Sequence, residues 1–147
     1  MIEVNPSLPV YHLTPGDNPV SRFQEQLGYS QAVRIGDRVE ISGQGGWNLD
    51  LTFPDDLEAE IVQAFDNVAM VLAEAGASWS DVVSVDSFHL PDADDQVGER
   101  PTRVMVEQMR ARMDGRRPIW TQVGVAALGA PGMRVEIRVT ATAPAAA

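Results

Sequence analysis

One stretch constrains the fold more than any other. Leu57, Ile61, Ala64, Phe65, Val68, Leu72 and Ala75 recur every three or four positions, the repeat of a helix that buries one face. Pro54-Asp55-Asp56 puts acidic groups at the positive end of its dipole, and Gly76 supplies a fitting stop. A helix with one apolar face must bury it against another element. The segments around it alternate with period two, so that partner is predicted to be a sheet.

Ala32-Val33-Arg34-Ile35 and Arg38-Val39-Glu40-Ile41 read as a hairpin around the two-residue turn Gly36-Asp37. A glycine-rich loop follows, Ser42-Gly43-Gln44-Gly45-Gly46-Trp47, matching no dinucleotide or phosphate-loop pattern. A strand is predicted from Asp81 to about Leu90, closed by Pro91, then a second helix from about Gln96 to Met113, with Pro101 placing its true start near Arg100. Two last strands, about 119–127 and 133–141, flank the turn Leu128-Gly129-Ala130-Pro131-Gly132. The order is ββαβαββ, an α+β domain with two helices on one face of a mixed sheet. Residues 1–26, with Pro6, Pro9, Pro15 and Pro19, read as an extended arm anchored by Val10, Tyr11, Leu13 and Phe23; proline at that density disfavours a helix. A single domain over 27–142 and a disordered tail over 143–147 complete the organisation.

On the last strand Val135, Ile137 and Val139 form one row and Arg134, Glu136, Arg138 and Thr140 the other. On the strand before it, Ile119, Thr121, Val123 and Val125 oppose Trp120, Gln122, Gly124 and Ala126. Placing the second rows together gives an uncovered sheet face that mixes a Trp, an amide and charges. A subunit interface holding a polar cleft is the reading of that mixture.

Composition limits the chemistry. The 147 residues suit one domain. With no Cys, disulfides and thiolate chemistry are excluded. All eleven basic residues are Arg, so there is no lysine for a Schiff base. The net charge of −10 opposes nucleic-acid binding. No apolar run spans a bilayer and no signal segment is read, so a cytoplasmic location is expected. Two distant histidines, His12 and His89, give no metal-ligand spacing, and neither a metal nor another cofactor is expected. Asp92, Asp94 and Asp95 read as a solvated acidic loop.

Five motifs in register carry a resemblance. Gly28-Tyr29-Ser30-Gln31-Ala32-Val33, Ser42-Gly43-Gln44, Asn67-Val68 through Leu72 with Ala75-Gly76-Ala77-Ser78, Asp81-Val82-Val83 and Val135-Glu136-Ile137 run in order between about Leu27 and Ala143. Together they resemble the Rid (reactive intermediate deaminase) or YjgF family. The resemblance implies a chorismate-mutase-like fold and a homotrimer with three clefts between subunits. It also implies hydrolysis of reactive imines and enamines to keto acids and ammonia. In that setting Tyr29, Ser42 and Gly43 would line the cleft, and Glu136 would position the attacking water or shuttle its proton; an interface salt bridge to an Arg is the alternative use of Glu136.

The sequence departs from the family pattern at one place. The arginine that clamps the substrate carboxylate falls two residues after a proline, and here Pro118-Ile119 leads to Trp120. A Trp offers a stacking surface and one N–H, pointing to a larger, aromatic substrate or to binding without this chemistry. Arg103, on the second helix, is a candidate replacement for the charge; otherwise it is solvated. Gln122 belongs to the same wall. Trp47 forms another wall of the cleft or packs on the N-terminal arm, Trp79 caps the core, and His89 is an acid–base candidate or a structural strand-end residue. The expected activity is a cofactor-independent deaminase acting on a small molecule other than the usual small 2-imino acids. A non-catalytic trimeric binding or enzyme-stabilising protein is the alternative, and endoribonuclease activity ranks last.

Overall fold

The computed structural model describes residues 8–92 and 97–145. In chain order the elements are β1 (Val10–His12), α1 (Pro19–Leu27), β2 (Ala32–Ile35), β3 (Arg38–Ile41), β4 (Gln44–Gly45), α2 (Leu57–Glu74), β5 (Val82–His89), α3 (Glu99–Arg112), β6 (Ile119–Gly124) and β7 (Val135–Thr142). The strands lie in the order β1-β2-β3-β7-β5-β6, with β4 paired to β7 beyond the end of β3. All pairs are antiparallel except β5–β6, which α3 joins as a parallel crossover. The α+β class and the ββαβαββ core stand, with β1 and α1 added in front.

Helix α2 packs its stripe on the sheet. Ile61, Ala64, Phe65, Val68 and Leu72 are buried against Val39, Ile41, Val85 and the Val135, Ile137, Val139 row of β7. Asp56 caps its start, accepting from the Ala59 amide. From α3, Val104, Met105 and Met109 join the same core. Trp79 does cap the core: its ring stacks on Phe65 at 4.8 Å and its Nε1 donates to the Phe65 carbonyl.

The extended arm is a correction. Residues 19–27 form a helix despite the prolines, because Pro19 sits at its first position, where the missing N–H has no partner to lose. Asn18 and Ser21 close a reciprocal capping box. The proposed anchors Val10, Tyr11, Leu13 and Phe23 are exposed. The arm is held instead by Val20 and by a buried clasp in which Gln24 accepts from the Thr14 amide and donates to the Thr14 carbonyl. Gly28, at φ 71°, ends the helix in the left-handed region and turns the chain into Tyr29. The tail is corrected at its start: Ala143 is buried, its amide donates to Asp37 and its carbonyl accepts from Arg34. Pro6, Asp94, Asp95, Gln96, Ala146 and Ala147, on which other expectations rested, lie outside the described residues.

One ion pair ties the layers. Glu60, fully buried on α2, accepts from the Arg134 amide at 2.7 Å and its Nε at 2.8 Å, at the entry to β7. Gly46 packs on this turn of α2 so closely that a Cβ would lie 2.1 Å from the Glu60 carbonyl oxygen. Glu60→Ala removes the acceptor of the Arg134 amide and Nε and leaves the guanidinium with the Pro54 and Asp55 carbonyls; it is expected to cost about 2 kcal/mol of unfolding free energy, measured as a fall in the urea midpoint at unchanged slope.

Candidate active site

Glu136 lies on the sheet face away from α2 and α3, against the backbone that leaves β3. Strand β3 pairs Glu40 with Thr140, whereas β4 pairs Gln44 with Ile137 and Gly45 with Glu136, so the register slips by one residue between them. The extra residue bulges the chain around Ser42 and Gly43. A Cβ on Gly43 would fall 2.3 Å from Glu136 Oε1, so glycine is what lets the carboxylate lie against this backbone. Ser42 is fixed beside it, donating Oγ to the Ser30 carbonyl at 2.7 Å and N–H to the Gln31 carbonyl at 2.8 Å. Gln44 Nε2 donates to Gln31 Oε1 at 2.8 Å.

Burial raises the pKa of two carboxyls, Glu74 at the end of α2 and Glu136 on the open sheet face, and the second lies beside the Tyr29 phenol. Among the described residues no hydrogen bond or ion pair engages the Glu136 carboxylate, and burial pushes its pKa up from the ordinary value. The intrachain form of the salt-bridge alternative is therefore not observed. Tyr29 is held next to it. Burial raises the phenol pKa, a hydrogen bond with Gln31 opposes that, and the Glu136 charge adds to it. A half-buried carboxylate with no intrachain cation bound to it, pressed on the Gly43 backbone and beside a phenol, has the chemistry to take up and release a proton.

The second set of expected residues lies elsewhere. Trp120 pairs with Val85, Gln122 with Ser87 and Gly124 with His89, and those β5 partners are buried under the helices. Trp120, Gln122 and Gly124 thus occupy the helix side of the sheet, correcting the expectation that they share a face with Glu136. Both rows of β6 are mixed in polarity, so alternation alone could not orient the strand; the parallel α3 crossover does. Trp120 Nε1 donates to Ser87 Oγ at 2.9 Å, and the same hydroxyl lies 2.9 Å from His89 Nε2. Gln122 Nε2 donates to Thr102 on α3, leaving its Oε1 buried and unpartnered. The residues that do share the open face with Glu136 are Arg138, Asp86, Phe88, Thr121, Ile119 and Val123, and Ile119 is 73% exposed.

Arg103 is exposed on α3 and pairs with Glu58 and Glu107, so within one chain it does not stand in for the missing guanidinium. Trp47 is half-buried and borders a cavity together with Val20 and Phe23 of α1 and with Tyr29. Asn67 was missed as a positioning residue: its Nδ2 donates to the Gly45 and Trp47 carbonyls, tying the glycine-rich loop to α2. Its place in the Asn67-Val68 motif was the available signal. Among the described residues no group of three or more His, Asp or Glu side chains is placed to hold a metal.

His89 is buried, and burial lowers its pKa to about 4, so it is neutral and structural at physiological pH. An unfolded histidine titrates near 6.5, so between about 6.5 and 4 the unfolded chain binds the extra proton. Stability is then expected to fall as pH drops through that interval. His89→Gln should flatten this part of the profile, read by urea titrations across the range.

The sequence profile of the family described as "Endoribonuclease L-PSP" matches residues 20–143. The chain is 36% identical over 116 residues to the RutC family protein YjgH of Escherichia coli K12, covering 79% of this chain and 83% of the relative. A solved structure of protein YJGH superimposes with a TM-score of 0.75 at 30% identity, over 93% of this chain and 98% of that one. A shorter match, 45% identical over 64 residues, covers 41% of this chain and 48% of a 2-iminobutanoate/2-iminopropanoate deaminase of Dermatophagoides farinae. With the family profile running from α1 through β7, the chain belongs to the YjgF/Rid family.

Proposed function

We propose that this chain is a cofactor-independent hydrolase of reactive imines or enamines, with sites completed between copies of the chain in a trimer. One observation carries the reading: the Glu136 carboxylate, half-buried, unpaired and raised in pKa, rests on Gly43 beside Tyr29 and Ser42. The relative named as an imine deaminase supports the reaction class, and the family's typical trimer supports the shared cleft. Within one chain Glu136 and Trp120 lie on opposite faces of the sheet. A site using both must therefore draw Tyr29, Ser42, Gly43 and Glu136 from one subunit and Trp120 and Gln122 from another.

The chemistry needs no covalent enzyme intermediate. Glu136 takes a proton from water as the oxygen bonds to the imine carbon and the C=N π pair moves to nitrogen. The same carboxylic acid protonates that nitrogen, giving a carbinolamine. Moving the hydroxyl proton to nitrogen through Glu136 breaks the C–N bond, releasing ammonia and leaving a carbonyl product. Ionised Glu136 is the active form, so its raised pKa places the acid limb of kcat/KM above the usual carboxylate range.

A carboxylate-bearing substrate also needs a cation. Trp120 supplies none and spends its N–H on Ser87. Arg138, one step along the row from Glu136, borders a concavity of about 420 Å³ with Ser30, Ser42 and the carboxylate of Glu40, and is the guanidinium this reading assigns to the substrate carboxylate. A binding protein without catalysis is the second reading, favoured by that occupied Trp120 N–H. The endoribonuclease description of the family is the weakest fit, given a net charge of −10 and no lysine.

A coupled assay of ammonia release from freshly generated imino acids, aliphatic and aromatic, tests the reading. Glu136→Gln is expected to lower turnover by at least a hundredfold, within the span of general-base effects of roughly 10²–10⁴, with keto-acid binding nearly retained. Equal activity in variant and parent removes Glu136 from the mechanism. Trp120→Arg is expected to raise activity on small 2-imino acids; a folded trimer that stays inert on them shows that this position is not the sole departure that matters.

A further inference from the structure

The cavity beside Tyr29 has not been given a role by the reaction chemistry. It measures about 220 Å³ and is bordered by Val20 and Phe23 of α1, by Tyr29, and by Trp47, Leu51 and Phe53 of the loop before α2; Ala130 and Pro131 close it. Four of those side chains are aromatic, and no charged group borders it. Tyr29, which borders the cavity, also lies within the field of Glu136. One phenol is thus common to an apolar, ring-lined hole and to the surroundings of the carboxylate proposed above as the proton-transfer group.

The walls are built rather than left over. Leu51 has φ 64°, a left-handed backbone that a side chain bearing a Cβ seldom adopts. A closed turn holds it there: the Leu51 amide donates to the Asn48 carbonyl, the Asn48 amide to the Thr52 carbonyl, and Asn48 Nδ2 and Asp50 bracket the Thr52 hydroxyl. The other side is α1, whose capping box and Gly28 stop fix Phe23 and Tyr29 relative to each other. The carbonyl of Trp47 is tied to α2 through Asn67.

We infer that this cavity is the subsite for an aromatic side chain of the substrate, selecting imines or enamines that carry a ring over those with small aliphatic groups. The assignment rests on the hydrolase reading above and adds the substrate class. Rings favour it as occupant because aromatic walls gain from offset and edge-to-face contacts, and because an uncharged hole next to the reacting centre rewards an apolar substituent on that centre.

Two measurements separate this inference from the reading on which it rests. In the first, toluene is titrated into the intact protein, and the methyl resonances of Val20 and Leu51 are expected to shift saturably while that of the exposed Ile35, at the β2–β3 turn, does not. Ala130→Phe, which fills the cavity, is expected to weaken toluene binding at least tenfold. Phe53→Ala, which removes a wall, should weaken it at least threefold and serves if the first variant does not fold. In the second, parent and variants are compared on phenylalanine-derived and alanine-derived imines; the aromatic-to-aliphatic ratio of kcat/KM should exceed 10 in the parent and fall at least fivefold in a folded variant. Toluene binding without turnover of any imine leaves the ring pocket standing and overturns the hydrolase reading. Turnover without a ring preference, or methyl resonances that toluene leaves unmoved because a neighbouring subunit fills the hole, overturns the pocket.

Discussion

Strand β7 carries antiparallel partners along both edges, β3 and β4 on one side and β5 on the other, and so its backbone hydrogen bonds join the two halves of the sheet. The slip between β3 and β4 is imposed on that strand, and the bulge it creates decides what Glu136 touches. A chain without the extra residue would bring a different atom under the carboxylate. Asn67 from α2 then fastens the backbone just beyond the bulge, and the Glu60–Arg134 pair fixes the point where β7 begins. The local geometry of the candidate catalytic group thus depends on one register irregularity, braced from the helix layer.

The two polar sets differ in kind. Around Glu136 the carboxylate is free, flanked by groups that donate elsewhere. Around Trp120 the polar atoms are consumed: the indole and His89 both meet Ser87, and Gln122 reaches Thr102. The first arrangement leaves a proton acceptor available, and the second rigidifies a wall. The two sets lie on opposite faces of one sheet, so a single chain does not bring them together. The exposed Ile119 and Val123 beside Glu136 and Arg138 are surface that a second copy of the chain would remove from water.

Helix α1 extends the ββαβαββ core toward the site. Its contribution to the core is small, since Val20 is its one buried apolar residue. Its contribution to position is larger, because its left-handed Gly28 cap delivers Tyr29 and its exposed side brings Phe23 over the loop that carries Trp47 and Phe53.

Much of this was legible in the residues. The α2 stripe, the Gly36-Asp37 hairpin and the apolar row of β7 specified their elements because each has one periodicity and one buried face. Helix α1 forms against the proline density of its segment because proline breaks a helix interior but fits its first position, which Pro19 occupies; Asn18-Pro19 and Ser21 spell that start in the sequence. The face of Trp120 was beyond the sequence: both rows of β6 mix apolar and polar residues, and only pairing with β5 through the α3 crossover chooses between them. The same holds for Gly43. Its presence in Ser42-Gly43-Gln44 is a matter of sequence, but its reason, a Glu136 carboxylate more than ninety residues away pressed on its Cα, exists only once β7 returns to the centre of the sheet. Local periodicity determined which segments are helix and strand; long-range register decided which side chains meet, because a one-residue slip exchanges the faces of a strand.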